Sequence, residues 1–211
     1  MKFLKFFFLL CLLSNYVYAD EKKDEIVPQS KSYFGIDAGY AFVDLKAEET
    51  AQDIANLSGN SVYYEEDQAA LYMRIYYGHA ISDSLDLQAG YFNTSDITAK
   101  YYIGTDSASE SYEASGFDAS FKYRPSVDDG IYAKIGVHYS ELTGSASVTI
   151  GGNTYDIASA RSTGTGLMYG IGYDFGRNEN GSGWKIGYDF YDTIGGIVGA
   201  DFGLLYLGYN F

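Results

Sequence analysis

From Ser32 onward, apolar residues recur at every second position in segment after segment. That period puts alternate side chains on opposite faces of an extended strand, so each segment has one oily face and one polar or glycine-rich face. Eight such segments can be counted. The first, about Tyr33 to Leu45, sets Phe34, Ile36, Ala38, Tyr40 and Phe42 against Gly35, Asp37, Gly39 and Ala41. The second runs from about Ala69 to Ile81, and the third begins near Leu85 and extends toward Ile103. The fourth (about Tyr112 to Arg124) and fifth (about Gly130 to Leu142) follow the same rule. The sixth carries Leu167 to Phe175, the seventh Trp184 to Phe190, and the eighth spans Ala200 to Phe211.

The connections differ in length. Ile81 to Ser84, Pro125 to Asp129 and Gly176 to Ser182 are short and rich in turn formers, whereas Ala47 to Gln68, Thr94 to Ser111 and Thr143 to Thr163 are longer and polar. The last, Thr193 to Gly199, is short. Short turns at one end and longer loops at the other, between strands of roughly ten residues, suit a closed barrel that crosses a membrane. The expected fold is therefore all-β: an eight-stranded antiparallel up-and-down transmembrane barrel over residues 32–211, closed by pairing the last segment with the first.

The first nineteen residues read differently. Lys2 and Lys5 precede the apolar run Phe6 to Leu13, and Val17-Tyr18-Ala19 ends in a small-residue cleavage pattern, which describes a secretory signal peptide. Residues 20–31 are charged, contain Pro28 and lack a period, as in a flexible leader. The one cysteine, Cys11, lies in the signal, so the exported chain must be stabilised without disulfides. The signal carries two of the fourteen basic residues and no acid, which makes the remainder −16 where the whole chain is −14. Such a balance disfavours nucleic acid as a partner.

Alternation leaves open which face is outside. Three features favour lipid there. The polar face is dominated by glycine, aspartate, lysine and serine, which suits a narrow interior where glycines make room for bulky neighbours. Phe34, Phe121, Tyr123, Phe175, Trp184, Tyr209 and Phe211 fall on the oily face at the short-turn end, forming an aromatic girdle at the periplasmic interface. A secretory signal also comes without disulfides.

On the signal peptide, the eight-segment layout, the Gly170-Ile-Gly-Tyr-Asp-Phe-Gly176 segment and the closing Leu207-Gly-Tyr-Asn-Phe211, the chain resembles the small OmpA-type outer-membrane barrels of the porin-like and opacity-like branch. The resemblance implies the outer membrane of a Gram-negative cell, both termini in the periplasm, and lipid and lipopolysaccharide as surroundings. It also implies that Phe211 is part of the signal read by barrel-assembly machinery. The peptidoglycan-binding domain of longer members is not expected after Phe211.

The inward face supplies the candidate functional residues: Asp37, Arg74, Asp118, Lys122, Arg124, Lys134, His138, Asp174, Lys185 and Asp189. A barrel of eight strands leaves just enough room for side chains, so these are expected to neutralise one another in a filled lumen; a narrow ion path is the alternative. With the sixth-to-seventh turn centred on Glu179 and Asn180, Asp174 falls opposite Lys185, an expected inward ion pair. His138-Tyr139-Ser140 resembles the His-x-Ser element of outer-membrane lipid A deacylases, but Glu141 stands where that resemblance implies Asn, and both side chains point into the lumen. His79, alone near a turn, is read as interfacial. No catalytic, cofactor or metal site is assigned: zinc-type spacing is missing, and the acids Glu48, Glu49, Asp53, Glu65, Glu66 and Asp67 lack EF-hand spacing. The expected role is structural or interactive, with acidic loops offered to a host or cell-surface ligand; a small passive pore ranks second and lipid A deacylation third.

Overall fold

A computed structural model describes residues 32–125, 130–175, 182–197 and 200–211. The signal peptide and leader, and the centre of the turn between the sixth and seventh segments, lie outside the described residues. The elements are β1 (Ser32–Phe42), α1 (Ala47–Ser58), β2 (Tyr63–Glu66), β3 (Ala70–Ser82), β4 (Leu85–Thr94), β5 (Ile97–Ile103), β6 (Asp106–Tyr123), β7 (Ile131–Ile150), β8 (Asn153–Phe175), β9 (Gly183–Tyr191) and β10 (Phe202–Asn210), with a 3-10 turn at Ile194–Gly196.

Eight strands form a closed ring in the order β1-β3-β4-β6-β7-β8-β9-β10 and back to β1, every pair antiparallel. The seam pairs β1 with β10 from Gly35 opposite Asn210 to Phe42 opposite Gly203, and the Phe211 amide donates to the Phe34 carbonyl at 2.8 Å. Closure satisfies the backbone groups that an open sheet would leave bare, which a bilayer interior cannot do. At this seam Gly39 is needed: a Cβ there would run into the Leu205 carbonyl and the Tyr206 Cα on the neighbouring strand.

The outer wall is apolar. Ile135 and Ile171 are each 66% exposed, and Leu71, Met73, Ile75, Val137, Leu167, Ile186 and Leu207 share that outward side. On β7 the stripe from Ile131 to Tyr139 covers about 27 Å of strand, or roughly 21 Å along the axis at a tilt of about 40°. Phe34, Phe121, Tyr123, Phe175, Trp184, Tyr209 and Phe211 all occupy the outer side at the short-turn end, with Trp184, Tyr209 and Phe211 in edge-on contact. A second row, not foreseen, edges the other end: Tyr91, Phe117 and Tyr139 stand side by side on β4, β6 and β7, and Tyr169 packs against Phe190 on β8 and β9. No helix among the described residues is long and apolar enough to cross a membrane; the strands cross.

Two segments read as long loops are strands instead. Thr94 to Ser111 is mostly the β5–β6 hairpin, and Thr143 to Thr163 is the upper part of the β7–β8 hairpin, closed by Gly151 (φ 57°) and Gly152 (φ 83°). Two consecutive positive φ values are what a tight hairpin turn requires. Much of their alternation, in Ser107 to Ser111 and Ser145 to Thr149, sets serine and threonine against alanine, glutamate and valine, a pattern too weakly apolar to read as strand. The third segment breaks at Ser95–Asp96 into β4 and β5. The stretch from Ala47 to Gln68 is not a loop either: it holds α1 and β2, and β2 pairs with β5 from Tyr63 opposite Tyr102 to Glu66 opposite Ala99.

The wall is consequently uneven. β9, β10 and β1 stop near the second aromatic row, while β6, β7 and β8 continue beyond it and join β5 and β2 in a five-stranded lobe ordered β2-β5-β6-β7-β8. Gly39→Val is expected to cost about 1–3 kcal/mol, the usual scale of overpacking, seen as a lower urea midpoint for the refolded barrel. Ala38→Val, on the lipid-facing side of the same seam, should leave that midpoint unchanged.

Candidate functional site

Every charged residue assigned to the inward face is buried in the lumen, and one more joins them: Asp86, whose position next to a turn hid its inward phase between Leu85 and Leu87. Five carboxylates (Asp37, Asp86, Asp118, Asp174, Asp189) meet five cations (Arg74, Lys122, Arg124, Lys134, Lys185) among the described residues. At the short-turn end the Arg124 guanidinium clamps both Asp86 oxygens at 2.6 and 2.7 Å, Tyr33 donates to Asp86 at 2.8 Å, and Gln88 donates to Tyr33 at 2.9 Å. One layer up, Lys122 donates to both oxygens of Asp174 at 2.7 Å. At mid-height Asp37 lies between Lys185 (2.9 Å) and Arg74 (3.4 Å), while Lys134 pairs with Asp189. Arg74 also forks onto Asp118 through Nε at 2.8 Å and Nη2 at 2.5 Å, and Tyr191 donates to the same carboxylate.

Asp174 and Lys185 do occupy opposite register positions, both inward. They do not pair with each other. Asp174 takes Lys122 from β6, two strands along the wall, with Arg124 at 3.8 Å, and Lys185 reaches Asp37 on β1, past β10. Register fixes which face a residue occupies, but a long lysine chain in a narrow tube reaches past the neighbouring strand and chooses among several carboxylates. Rings fill the space between ions. Lys122 lies 4.0 Å from the Tyr132 ring centroid and Lys185 4.3 Å from that of Tyr76; Gly172 and Gly187 leave space beside the Tyr132 hydroxyl. These inward tyrosines escaped the sequence reading because tyrosine occurs on both faces of the strands.

Above the ions the lumen turns apolar. Tyr72, Phe92, Met168 and Tyr191 lead to Ile97, Ala114, Ile194, Phe202 and Leu204, which close the upper mouth. Ile194 comes from the turn after β9, and three inward side chains hold that turn. His138 Nε2–H donates to the Asp192 carbonyl at 2.6 Å, Ser140 Oγ accepts from the Gly195 amide at 2.9 Å, and Ser162 donates to the Gly195 carbonyl at 2.8 Å. The two members of the His-x-Ser element therefore anchor a loop. No hydrogen bond joins His138 to Ser140, whose Oγ is engaged by the Gly195 amide, and both are buried away from the lipid face. His79, at the opposite rim, has Nδ1 3.0 Å from Ser32 Oγ.

The lobe beyond the second aromatic row has its own small core, with Ala47 and Ala51 of α1 packed on Ala99 and Tyr101 of β5, flanked by Leu45, Ile54, Val62 and Tyr64. Glu66 accepts from the Leu45 amide at 3.0 Å and Asp67 from the Thr98 amide at 3.1 Å, which ties the connection to the sheet. Glu110 accepts from Tyr101 and Tyr112; burial first, and then this carboxylate, push the Tyr112 hydroxyl up to about 12 and raise that of Tyr101 as well. The flank formed by α1 and β2 carries Glu48, Glu49, Asp53, Glu65, Glu66 and Asp67. No group of three or more His, Cys, Asp or Glu side chains able to hold a metal ion occurs among the described residues.

No family model and no curated protein matches the chain. Among solved structures it is similar to Ail, the attachment invasion locus protein of Yersinia pestis, in complex with the heparin analogue sucrose octasulfate. That likeness has 12% identity and a TM-score of 0.45, over 86% of this chain and 99% of that one. It is also similar to Neisserial surface protein A (18%, 0.41, 86% and 96%) and to the outer membrane protein OprG from Pseudomonas aeruginosa (10%, 0.43, 86% and 97%). The protein's own architecture is that of an outer-membrane-type barrel: an apolar exterior edged by aromatics at both ends, an ionic interior, and no sheet edge within the band.

Because Lys134 and Asp189 are both fully buried, removing either one strands its partner. Lys134→Met and Asp189→Leu are each expected to lose about 3–5 kcal/mol, and the double variant to return to within about 1–2 kcal/mol of the native value, by urea unfolding of the refolded protein.

Proposed function

We propose that this chain is an integral outer-membrane barrel of a Gram-negative cell whose lumen is a structural plug and whose work is done by the lobe. The observation that carries this reading is the contrast between the two parts. The lumen spends its polar groups on each other and is closed above by an apolar layer. The lobe is an ordered sheet with exposed edges, an acidic flank and a helix of its own.

In this reading the short turns and both termini face the periplasm and the lobe faces outward, through and beyond the lipopolysaccharide layer. The barrel anchors and stiffens; the lobe meets a surface ligand. Phe211, pinned by its amide to Phe34 at the seam, is part of the strand that assembly machinery would engage. The filled lumen speaks against a passive pore, and the anchoring roles of His138 and Ser140 speak against deacylation.

Refolded protein in a planar bilayer is expected to be electrically silent, because each inward cation has a carboxylate partner and the upper mouth is apolar. Stepwise conductance from the intact chain would establish the pore instead. Replacing residues 145–159 with a two-residue Asn-Gly turn should leave the barrel folded, judged by its heat-modifiable gel shift, while lowering adherence of expressing cells to a host-cell layer.

A further inference from the structure

The lobe has one side that nothing covers. β8 pairs with β9 only from Met168 to Phe175, while its pairing with β7 runs on to Asn153. From Asn153 to Arg161 every residue is exposed, and among the described residues no backbone partner lies on the side away from β7. A nine-residue strand with a bare edge is a template for another strand. It also carries apolar side chains: Tyr155 is 55% exposed, and Ile157, left over where the β7–β8 register shifts, is 62% exposed.

We infer that this edge pairs antiparallel with the same edge of a second copy of the chain held in a facing membrane. The sequence of the edge is complementary to itself. In the register that sets Asp156 against the other copy's Arg161, the reverse pair forms as well. Tyr155 then meets Ser162, the Ile157–Ala158 bulge meets Ala160, and Ser159 meets its own copy on the two-fold, so the two large apolar side chains face small ones. Arg161 extends from the strand, with 69% of its side chain exposed, and already pairs with Glu141, so the incoming carboxylate joins an existing charge site.

Membrane geometry selects the facing arrangement. Two copies in one membrane point their β8 strands the same way, so meeting edge to edge would make a parallel pair with Asp156 beside Asp156. Only a copy turned over, as in an apposed membrane, presents the antiparallel edge. The acidic flank does not forbid the approach. It lies at the β2 side of the lobe sheet, four strand spacings or about 19 Å from β8, roughly two Debye lengths at physiological salt. With the two-fold through Ser159, about eight residues above Leu167, the two membrane surfaces would stand roughly 40–45 Å apart.

This inference rests on the lobe facing outward, and its test is separate from the conductance measurement. Protein refolded into phosphatidylcholine vesicles is expected to cluster them at 150 mM salt, by light scattering, and more slowly at 10 mM salt. D156R alone and R161D alone should each slow clustering at least tenfold, because each places like charges opposite one another twice. Vesicles carrying D156R mixed with vesicles carrying R161D should recover it, since both ion pairs then re-form with exchanged partners. Cryo-electron microscopy of the clusters should show a gap of roughly 40–45 Å. Both substitutions are on exposed positions, and a native gel shift for each verifies the barrel; I157K gives an independent, non-complementable loss. Wild-type vesicles that stay dispersed, variants that cluster as the native protein does, or a mixture no better than either variant alone would overturn the inference. A silent barrel with an adherent lobe would survive that outcome.

Discussion

Pairing between β1 and β10 is the interaction on which everything else depends. Inside hydrocarbon an unpaired amide has no water to turn to, so a sheet crossing the bilayer must leave no edge. Closing the ring with eight strands then sets the diameter, and the diameter sets the interior: a tube only wide enough for side chains. The choice of residues inside follows from that width. Where the paired strand leaves no room for a Cβ, glycine is required, as at Gly39 against the backbone of Leu205 and Tyr206; where the interior opens, tyrosine or a lysine or arginine must fill the gap.

Charge in the lumen obeys the same logic. Burying ten ionised groups is tolerable only if they neutralise one another and their remaining hydrogen-bonding capacity is met. Five carboxylates against five cations satisfy the first condition among the described residues, and the surrounding tyrosine hydroxyls and ring faces contribute to the second. Such a network adds little net stability over an apolar filling. Its value is in making the wrong register costly, because sliding any strand by one residue would turn its ions toward lipid.

The wall could be read from the chain before any coordinates because the bilayer imposes a strong contrast: Ile135, Val137 and Tyr139 must differ from Lys134, Gly136 and His138. Side, and hence lumen membership, followed from parity alone. Partnership did not. Asp174 sits opposite Lys185 in register and binds Lys122 instead, since parity says nothing about the reach of a side chain past the neighbouring strand. Above the membrane the contrast fades. Ser107 to Ser111 and Ser145 to Thr149 alternate as strictly as the wall, yet serine against alanine, glutamate or valine is a small signal where no lipid demands a wholly apolar face. α1 was missed for a related reason: its buried contact is made by alanines, Ala47 and Ala51, in a segment otherwise crowded with acids.

A barrel removes edges only where it is closed. Here the strands differ in length, and β7 and β8 run well past the level at which β9 and β10 stop. The protection that closure provides within the bilayer therefore ends at the upper rim, and the extra strand length necessarily creates bare edges above it. On one flank that edge is finished: β2 is four residues long, carries Glu65 and Glu66, and lies beside a connection pinned by side-chain bonds. On the other flank the edge of β8 is long and nearly neutral, with apolar side chains exposed. Two edges of one sheet treated so differently are not a by-product of length, which would leave both alike. In the proposed reading, the asymmetry marks β8 as the side of the lobe shaped for contact and β2 as the side shaped to refuse it.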